Sequence, residues 1–307
     1  MQKFHSHGKL LITGEYVVLD GATALALPTR FGQSLEVKEI QAPLVKWKSI
    51  DAKGEIWFED EFQISEILSQ KPQINREDNE VSKMLYLALH SAAAMNSEAL
   101  KEGEGFEVTS KVDFPRSWGL GTSSTLITNL AKWFENDPYQ LLEKTFGGSG
   151  YDIAVGMHGT PITFEKQGLE NSILRASFDP PFKNQLFFIH LNRKQNSREA
   201  IEHYRQQDKT SLKTTSEKIS ALTHRMISCT DLLEFNLLIE VHENLISRLL
   251  DMQKVKSRLF PDFAGAVKSL GGWGGDFVLA TGTSQDMDYF RSKGYDTILA
   301  FDEMILD

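Results

Sequence analysis

Apolar residues recur along the chain with two periods, and the change from one to the other divides it. The first half reads mainly as strands. Lys9–Leu19 and Ala22–Leu27 are apolar and β-prone on either side of a turn at Asp20-Gly21. Runs of alternating apolar and polar residues follow at Ser34–Val37, Val45–Lys48 and Glu55–Glu59, and again at Phe106–Phe114, which Pro115 ends. Between them, Val81, Met84, Leu85, Ala88, Leu89 and Ala92 recur at helical spacing and predict a helix over Val81–Met95. After a strand at Gln185–Leu191 the pattern turns helical. Leu212–Ile227 and Asp231–Met252 carry the 3.6-residue period, with Asp231 as N-cap. The latter helix offers one apolar face for a core and no second exposed seam. A further helix is expected over Pro261–Leu270, and strands at Phe277–Thr281 and Thr297–Phe301 flank a helix at Gln285–Lys293. Strands and helices in this order predict an α+β protein. The polar stretch Gln167–Pro181, ending in Pro180-Pro181, puts the domain boundary there, giving domains 1–170 and 171–307.

Composition narrows the class. At 307 residues the chain exceeds one ordinary core, and 41% hydrophobic residues suffice to fill two. A net charge of −9 argues against a broad nucleic-acid or anionic-membrane surface. No apolar stretch reaches the length of a membrane span, and the N-terminus lacks a signal-peptide core. The single cysteine, Cys229, cannot form an internal disulfide or a cysteine metal site. His5, His7, His90, His158 and His242 lack a metal-ligand spacing and read as structural or solvated. The expectation is a soluble protein of a reducing compartment, most simply the cytoplasm.

Three glycine clusters carry the candidate chemistry. In Gly119-Leu120-Gly121-Thr122-Ser123-Ser124, between a strand and an apolar helix, the glycines let the backbone approach an anion. The helix start adds unpaired N–H groups, and the three hydroxyls can bind phosphate oxygens or Mg²⁺. No lysine follows the glycines, so this is not a Walker A loop. An ordinary strand-to-helix turn with a Ser/Thr cap would look the same. The second cluster, Gly147-Gly148-Ser149-Gly150-Tyr151-Asp152, sets an acid directly after a tight turn, where it could serve as a base, a Mg²⁺ ligand or a helix cap. The third, Gly271-Gly272-Trp273-Gly274-Gly275-Asp276, exposes many N–H groups ahead of a strand. Its tryptophan argues against a merely flexible connection.

Together with His7-Gly8-Lys9-Leu10 and Thr13-Gly14-Glu15-Tyr16 near the N-terminus, these clusters resemble the signature set of the GHMP small-molecule kinases, in family order and across nearly the whole chain. Gly148–Ala154 and Gly265–Asp276 are most similar to the mevalonate and phosphomevalonate kinase branch. The resemblance implies an N-terminal domain like ribosomal protein S5 domain 2 and a ferredoxin-like C-terminal domain, with ATP and acceptor in a cleft between them. It implies ATP and Mg²⁺ as cofactors and a small hydroxylated acceptor, 5-phosphomevalonate or mevalonate, as partner. Asp152 would take the acceptor proton beside Lys9. Gly119, Leu120, Gly121, Thr122, Ser123 and Ser124 would hold the nucleotide, with Ser123 on the metal. Tyr16, Ser149, Gly150, Arg193, Ser197, Gly272, Trp273 and Gly274 would contact the acceptor, and Lys194 and Arg198 join the basic loop that could face a phosphate. Arg193–Arg198 also reads as a solvated charge run. Three departures stand out: Thr122 replaces a serine, Trp273 replaces a glycine, and only Glu143 offers itself as the family's acidic Mg²⁺ ligand. A kinase for another hydroxylated metabolite such as a sugar, or a catalytically silent nucleotide-binding regulator, fits the same residues.

Overall fold

The computed structural model describes residues 1–70, 79–168, 170–195, 197–208 and 210–306. Its strands are β1 (Gln2–Leu11), β2 (Ala24–Glu39), β3 (Leu44–Ile50), β4 (Ile56–Gln63), β5 (Phe106–Val112), β6 (Ile162–Gln167), β7 (Glu170–Arg175), β8 (Leu186–His190), β9 (Val267–Ser269), β10 (Phe277–Thr281) and β11 (Ile298–Ala300). The helices are α1 (Ile64–Ile67), α2 (Glu80–Met95), α3 (Thr122–Trp133), α4 (Pro138–Lys144), α5 (Tyr151–His158), α6 (Ser197–Gln206), α7 (Leu212–Ser228), α8 (Leu232–Leu250), α9 (Val255–Leu259), α10 (Asp288–Ser292) and α11 (Phe301–Met304). This is an α+β protein. No described helix is long and apolar enough to cross a membrane.

The chain forms two compact units that do not follow chain order. The first comprises residues 1–8, 31–116 and 121–158; the second comprises 9–30, 117–120 and 159–307.

In the first unit, strands run in the order β4-β3-β5-β2. β3 pairs antiparallel with β4 and parallel with β5, and β5 pairs antiparallel with residues 33–39 of β2. Alternation decides which face is covered. In β5, Phe106, Val108 and Val112 are buried while Glu107 and Lys111 face solvent. α2 lays Leu85, Ala88, Leu89 and Ala92 into the same core, and Asn79 caps it by accepting from the Val81 and Ser82 N–H groups. α3 contributes Ile127, Leu130 and Ala131 to that core, so its N-terminus is held on a rigid base.

In the second unit, residues 24–26 of β2 pair with β6, and β6 with β7. A separate antiparallel sheet has the order β11-β8-β10-β9. β8 and β10 are buried at every position, as continuous apolar runs predict for strands covered on both faces. α7 and α8 pack together, and the Asp231 side chain accepts from the Glu234 N–H at 2.8 Å, the expected cap. The outer face of α8 departs from expectation: Leu233, Leu237 and Val241 are exposed in an i, i+4, i+8 row.

Two segments differ from the pattern-based reading. The run through Leu19 does not stay extended. β1 ends at Leu11, Gly14 and Tyr16 adopt positive φ, and Val17–Asp20 winds into a 3-10 turn. The apolar residues there are buried in a turn and not along a strand, which composition alone cannot distinguish. Pro261–Leu270 is not a helix. α9 precedes it, Phe260 is driven out of helical geometry before Pro261, and Val267–Ser269 is recruited as a strand by β10.

Candidate active site

The phosphate-loop candidate begins in the second unit and ends in the first. Lys9, half-buried on β1, donates its backbone N–H to the Leu120 carbonyl at 3.0 Å, and its Nζ donates to the Gly119 carbonyl at 3.2 Å. Gly119 has φ +67°, and a methyl group there would fall 2.7 Å from Asp276 Oδ1 and nearer still to Cγ and Oδ2. Only glycine fits this approach. Gly121, also left-handed at φ +95°, caps α3. Its carbonyl accepts from Ser124 Oγ at 2.8 Å and Thr125 N at 2.9 Å, so the Ser124 proton is used to close the turn. Ser123 is exposed in the first helical turn and Thr122 is half-buried beside it. The start of a twelve-residue helix, with its unpaired N–H groups and an exposed hydroxyl, is an arrangement that suits an anion and a hard cation together.

Asp152 lies in the first turn of α5, which packs along α3. Its carboxylate is half-buried, and Oδ1 accepts from the Ile153 N–H at 3.2 Å. Its charge is felt by its surroundings. The Tyr139 phenol is pushed up to about 12 by burial, then by Asp137 and Asp152. Ser149 is half-buried and Gly150 buried in the preceding turn. Glu143 is exposed on α4. Among the described residues no group of three or more His, Cys, Asp or Glu could hold a metal ion. Ser123 is the candidate protein ligand for a cation.

The C-terminal glycine loop joins β9 to β10 in the second unit. Trp273 is only 2% exposed; its N–H donates to Tyr16 Oη at 2.8 Å and its Nε1 to the Gln253 carbonyl at 3.2 Å. Tyr16 lies 5.6 Å from the Tyr204 ring, and Tyr204 Oη donates to Asp20. Burial and that bond raise the Tyr204 phenol far above its ordinary range. Gly272 approaches Gln195, where a methyl would come within 2.8 Å of its Cβ, and Gly274 accepts from Arg258 Nη2 at 3.5 Å. Arg193 and Lys194 are exposed; the side chains of Ser197 and Arg198 lie outside the described residues. The second unit thus brings together Lys9 with Gly119, Tyr16 with Trp273, and Gly272 with the basic loop. Asp152, Ser149, Gly150 and Thr122–Ser124 belong to the first.

Behind the glycine loop is a set of charges that motif reading leaves without a role. Lys268 Nζ bonds Glu15 Oε1 and the Ser269 carbonyl, the latter at 2.9 Å, and stands 3.7 Å from Glu243 Oε1. His242 Nε2 accepts the Gly14 N–H at 3.1 Å and lies 3.3 Å from Glu15 Oε2. All four side chains are inaccessible to water. Burial pushes Glu243 up to about 8 and raises Glu15 against the pull of Lys268. Burial, then Lys268, holds His242 well below its ordinary value, as its acceptor role requires. One ammonium thus faces two buried carboxyl groups and an imidazole, and Glu15 Oε2, Glu243 Oε1 and His242 Nδ1 are buried there without a hydrogen-bond partner among the described residues. Asp276 is the other residue missed: it ends a motif but its surroundings come from four separate segments.

No protein-family model matches the sequence, and no curated protein matches it significantly. Solved structures do match. A mevalonate kinase aligns over 100% of both chains at 16% identity with a TM-score of 0.72. The Streptococcus pneumoniae phosphomevalonate kinase in complex with phosphomevalonate and AMPPNP aligns over 98% of this chain and 100% of its own, at 13% identity and a TM-score of 0.71. The Lactococcus lactis galactokinase complexed with galactose aligns over 99% and 93%, at 14% identity and a TM-score of 0.66. Over its whole length, this chain has the fold of the GHMP small-molecule kinases.

Proposed function

We propose that the protein is an ATP-dependent kinase that phosphorylates a small hydroxylated metabolite, with 5-phosphomevalonate or mevalonate as acceptor. One observation carries the reading: the left-handed Gly119–Gly121 turn opens α3 while the Lys9 ammonium bonds the Gly119 carbonyl. That combination supplies backbone donors, a helix N-terminus and a fixed cation to a triphosphate. The structural neighbour named as bound to AMPPNP and phosphomevalonate supports both nucleotide and acceptor. The exposed Arg193 and Lys194 favour an acceptor that itself carries a phosphate.

Phosphoryl transfer depends mostly on positioning and charge neutralisation. In this reading the N–H groups of residues 119–124 and the start of α3 hold the phosphates. Lys9 offsets charge at the Gly119 end. Asp152, half-buried and acceptor-only when ionised, orients the acceptor hydroxyl and takes its proton. Ser123 would be the residue to hold Mg²⁺, which would supply electrostatic neutralisation of the transferring group. By the family resemblance, Tyr16 and the 272–274 loop of the second unit, and Ser149 and Gly150 of the first, are acceptor contacts in this reading. Residues 1–170 and 171–307 are read as the two kinase domains of a cytoplasmic protein.

An ADP-release assay over mevalonate, 5-phosphomevalonate, galactose and heptose phosphates tests the reading. Turnover with 5-phosphomevalonate or mevalonate at least tenfold above the sugars is expected. Preference for a sugar would move the protein to another substrate class, a reading that galactokinase and heptose-phosphate kinase neighbours also support. ATP binding without transfer to any acceptor would make it a silent relative.

A further inference from the structure

Asp276 is a charge where structure alone would not ask for one. Its backbone continues the β8–β10 ladder: its carbonyl accepts from Leu191 N at 2.8 Å and its N–H donates to the Arg193 carbonyl at 2.7 Å. Its side chain turns to other partners. Oδ1 accepts the Gln195 N–H at 3.1 Å, which fixes the basic loop, and the carboxylate packs directly on Gly119. The same glycine also accepts, through its carbonyl, from Lys9 Nζ at 3.2 Å. An asparagine would satisfy Gln195 equally well, without the cost of holding a carboxylate out of water. Burial raises the Asp276 carboxyl; the Gln195 N–H lowers it most, followed by the charges of Lys9, Lys194 and His190.

We propose that Asp276 is a positioning residue of the phosphoryl-transfer site: through Gly119 and Gln195 it holds the Lys9 ammonium, the phosphate-loop entry and the Arg193–Gln195 turn in one arrangement. The proposal rests on the kinase reading above and adds a residue that no motif comparison gave a role. The carboxylate packs on Gly119, the residue whose carbonyl accepts from Lys9 Nζ. The rigid contact at Gly119 transmits the position of the glycine loop to the start of the phosphate loop. Burial opposes this by raising the Asp276 carboxyl, and the Gln195 N–H, then Lys9, Lys194 and His190, pull it back.

Asp276→Asn tests the charge while keeping the acceptor for Gln195. Lysines of the full-length protein are reductively methylated with ¹³C-formaldehyde, and the Lys9 signal is identified by its loss in Lys9→Arg. The Lys9 titration midpoint in Asp276→Asn is expected to fall by about 0.5–1 pH unit. In unmodified protein kcat is expected to fall roughly 10- to 100-fold, with KM for ATP changed less than kcat. Asp276→Glu, which restores the charge, should hold the Lys9 midpoint near that of the parent and serves if the asparagine variant does not fold. An unchanged midpoint in Asp276→Asn, or a glutamate variant that shifts it as far as asparagine does, overturns the proposal. The titration needs no turnover. A Lys9 shift in a protein that phosphorylates nothing would keep the pairing and refute the kinase reading; an active kinase without the shift would do the reverse.

Discussion

Lys268 and Lys9 each stand beside a carboxylate at a glycine-bearing turn of the second unit, yet their surroundings differ completely. Lys268 is sealed from water with Glu15, Glu243 and His242, and its donors are directed to atoms of the protein. Lys9 is half-buried, bonds one carbonyl of the candidate phosphate loop, and shares its neighbourhood with the exposed Arg193 and Lys194 through Asp276. The first set is wholly interior and ties the Gly14–Glu15 turn to β9 and α8. The second is only half-buried and reaches the candidate phosphate loop at the Gly119 carbonyl. Burial separates scaffold from site here, because the residue types and their glycine-rich context are nearly the same.

The difference can be tested by asking which variants lose activity and which lose stability. Asp152→Asn should lower kcat by up to about 10⁴-fold, or roughly 5 kcal/mol of barrier, while the urea unfolding midpoint stays within error. Near-normal turnover would remove Asp152 from proton transfer. Lys268→Met should do the opposite, destabilising the fold by about 3–5 kcal/mol, because it strands Glu15 in the interior without its cation. Denaturant curves check it; a loss below 1 kcal/mol would mean that the set is not structurally required.

The third test is pH dependence. Glu243, near 8 in the fold against an ordinary 4.5, keeps a proton that the unfolded chain releases. Its contribution is therefore fully present below 4.5 and is lost as pH rises through 8. The depressed His242 acts in the other direction, and only below its ordinary 6.5. Between pH 6.5 and 8 stability should thus decline, by at most about 1.4 kcal/mol per pH unit, and Glu243→Gln should flatten the decline to what Glu15 leaves. A slope unchanged by that substitution would reassign it. The smallest effect belongs to Tyr16→Phe, which removes the acceptor of the Trp273 N–H. It should cost about 1 kcal/mol of stability and raise the acceptor KM more than the ATP KM, read from steady-state kinetics.

Much of this was legible before any coordinates. Alternation located β3, β4 and β5, periodicity located α2, α7 and α8, and Asp231 was identifiable as a cap because capping is local chemistry. The glycine loops were visible for the same reason. What escaped were features set by distant partners. A sequence gives Lys268 and Glu243 the look of surface residues; only their meeting with Glu15 across more than two hundred positions permits their burial. Asp276 was part of a motif, but its contact with Gly119 is tertiary. The strand expected through Leu19 and the helix expected over Pro261–Leu270 failed where an apolar stretch was drawn into a turn or into a neighbouring ladder. The exposed Leu233, Leu237 and Val241 row shows the converse limit: periodicity marks apolar positions, and packing decides which face is covered.

The order in which the chain visits its two units has a practical consequence for anyone dissecting it. It crosses between them after residues 8, 30, 116, 120 and 158, and β2 contributes hydrogen-bonded residues to both. Neither unit is therefore a contiguous stretch that could be expressed alone. A cut near residue 170 would strip the second unit of Lys9, Glu15 and Gly119 together, leaving Lys268 buried without its partner. Fragment expression and domain exchange are poor tools for this architecture, and point substitution in the intact chain is the appropriate one.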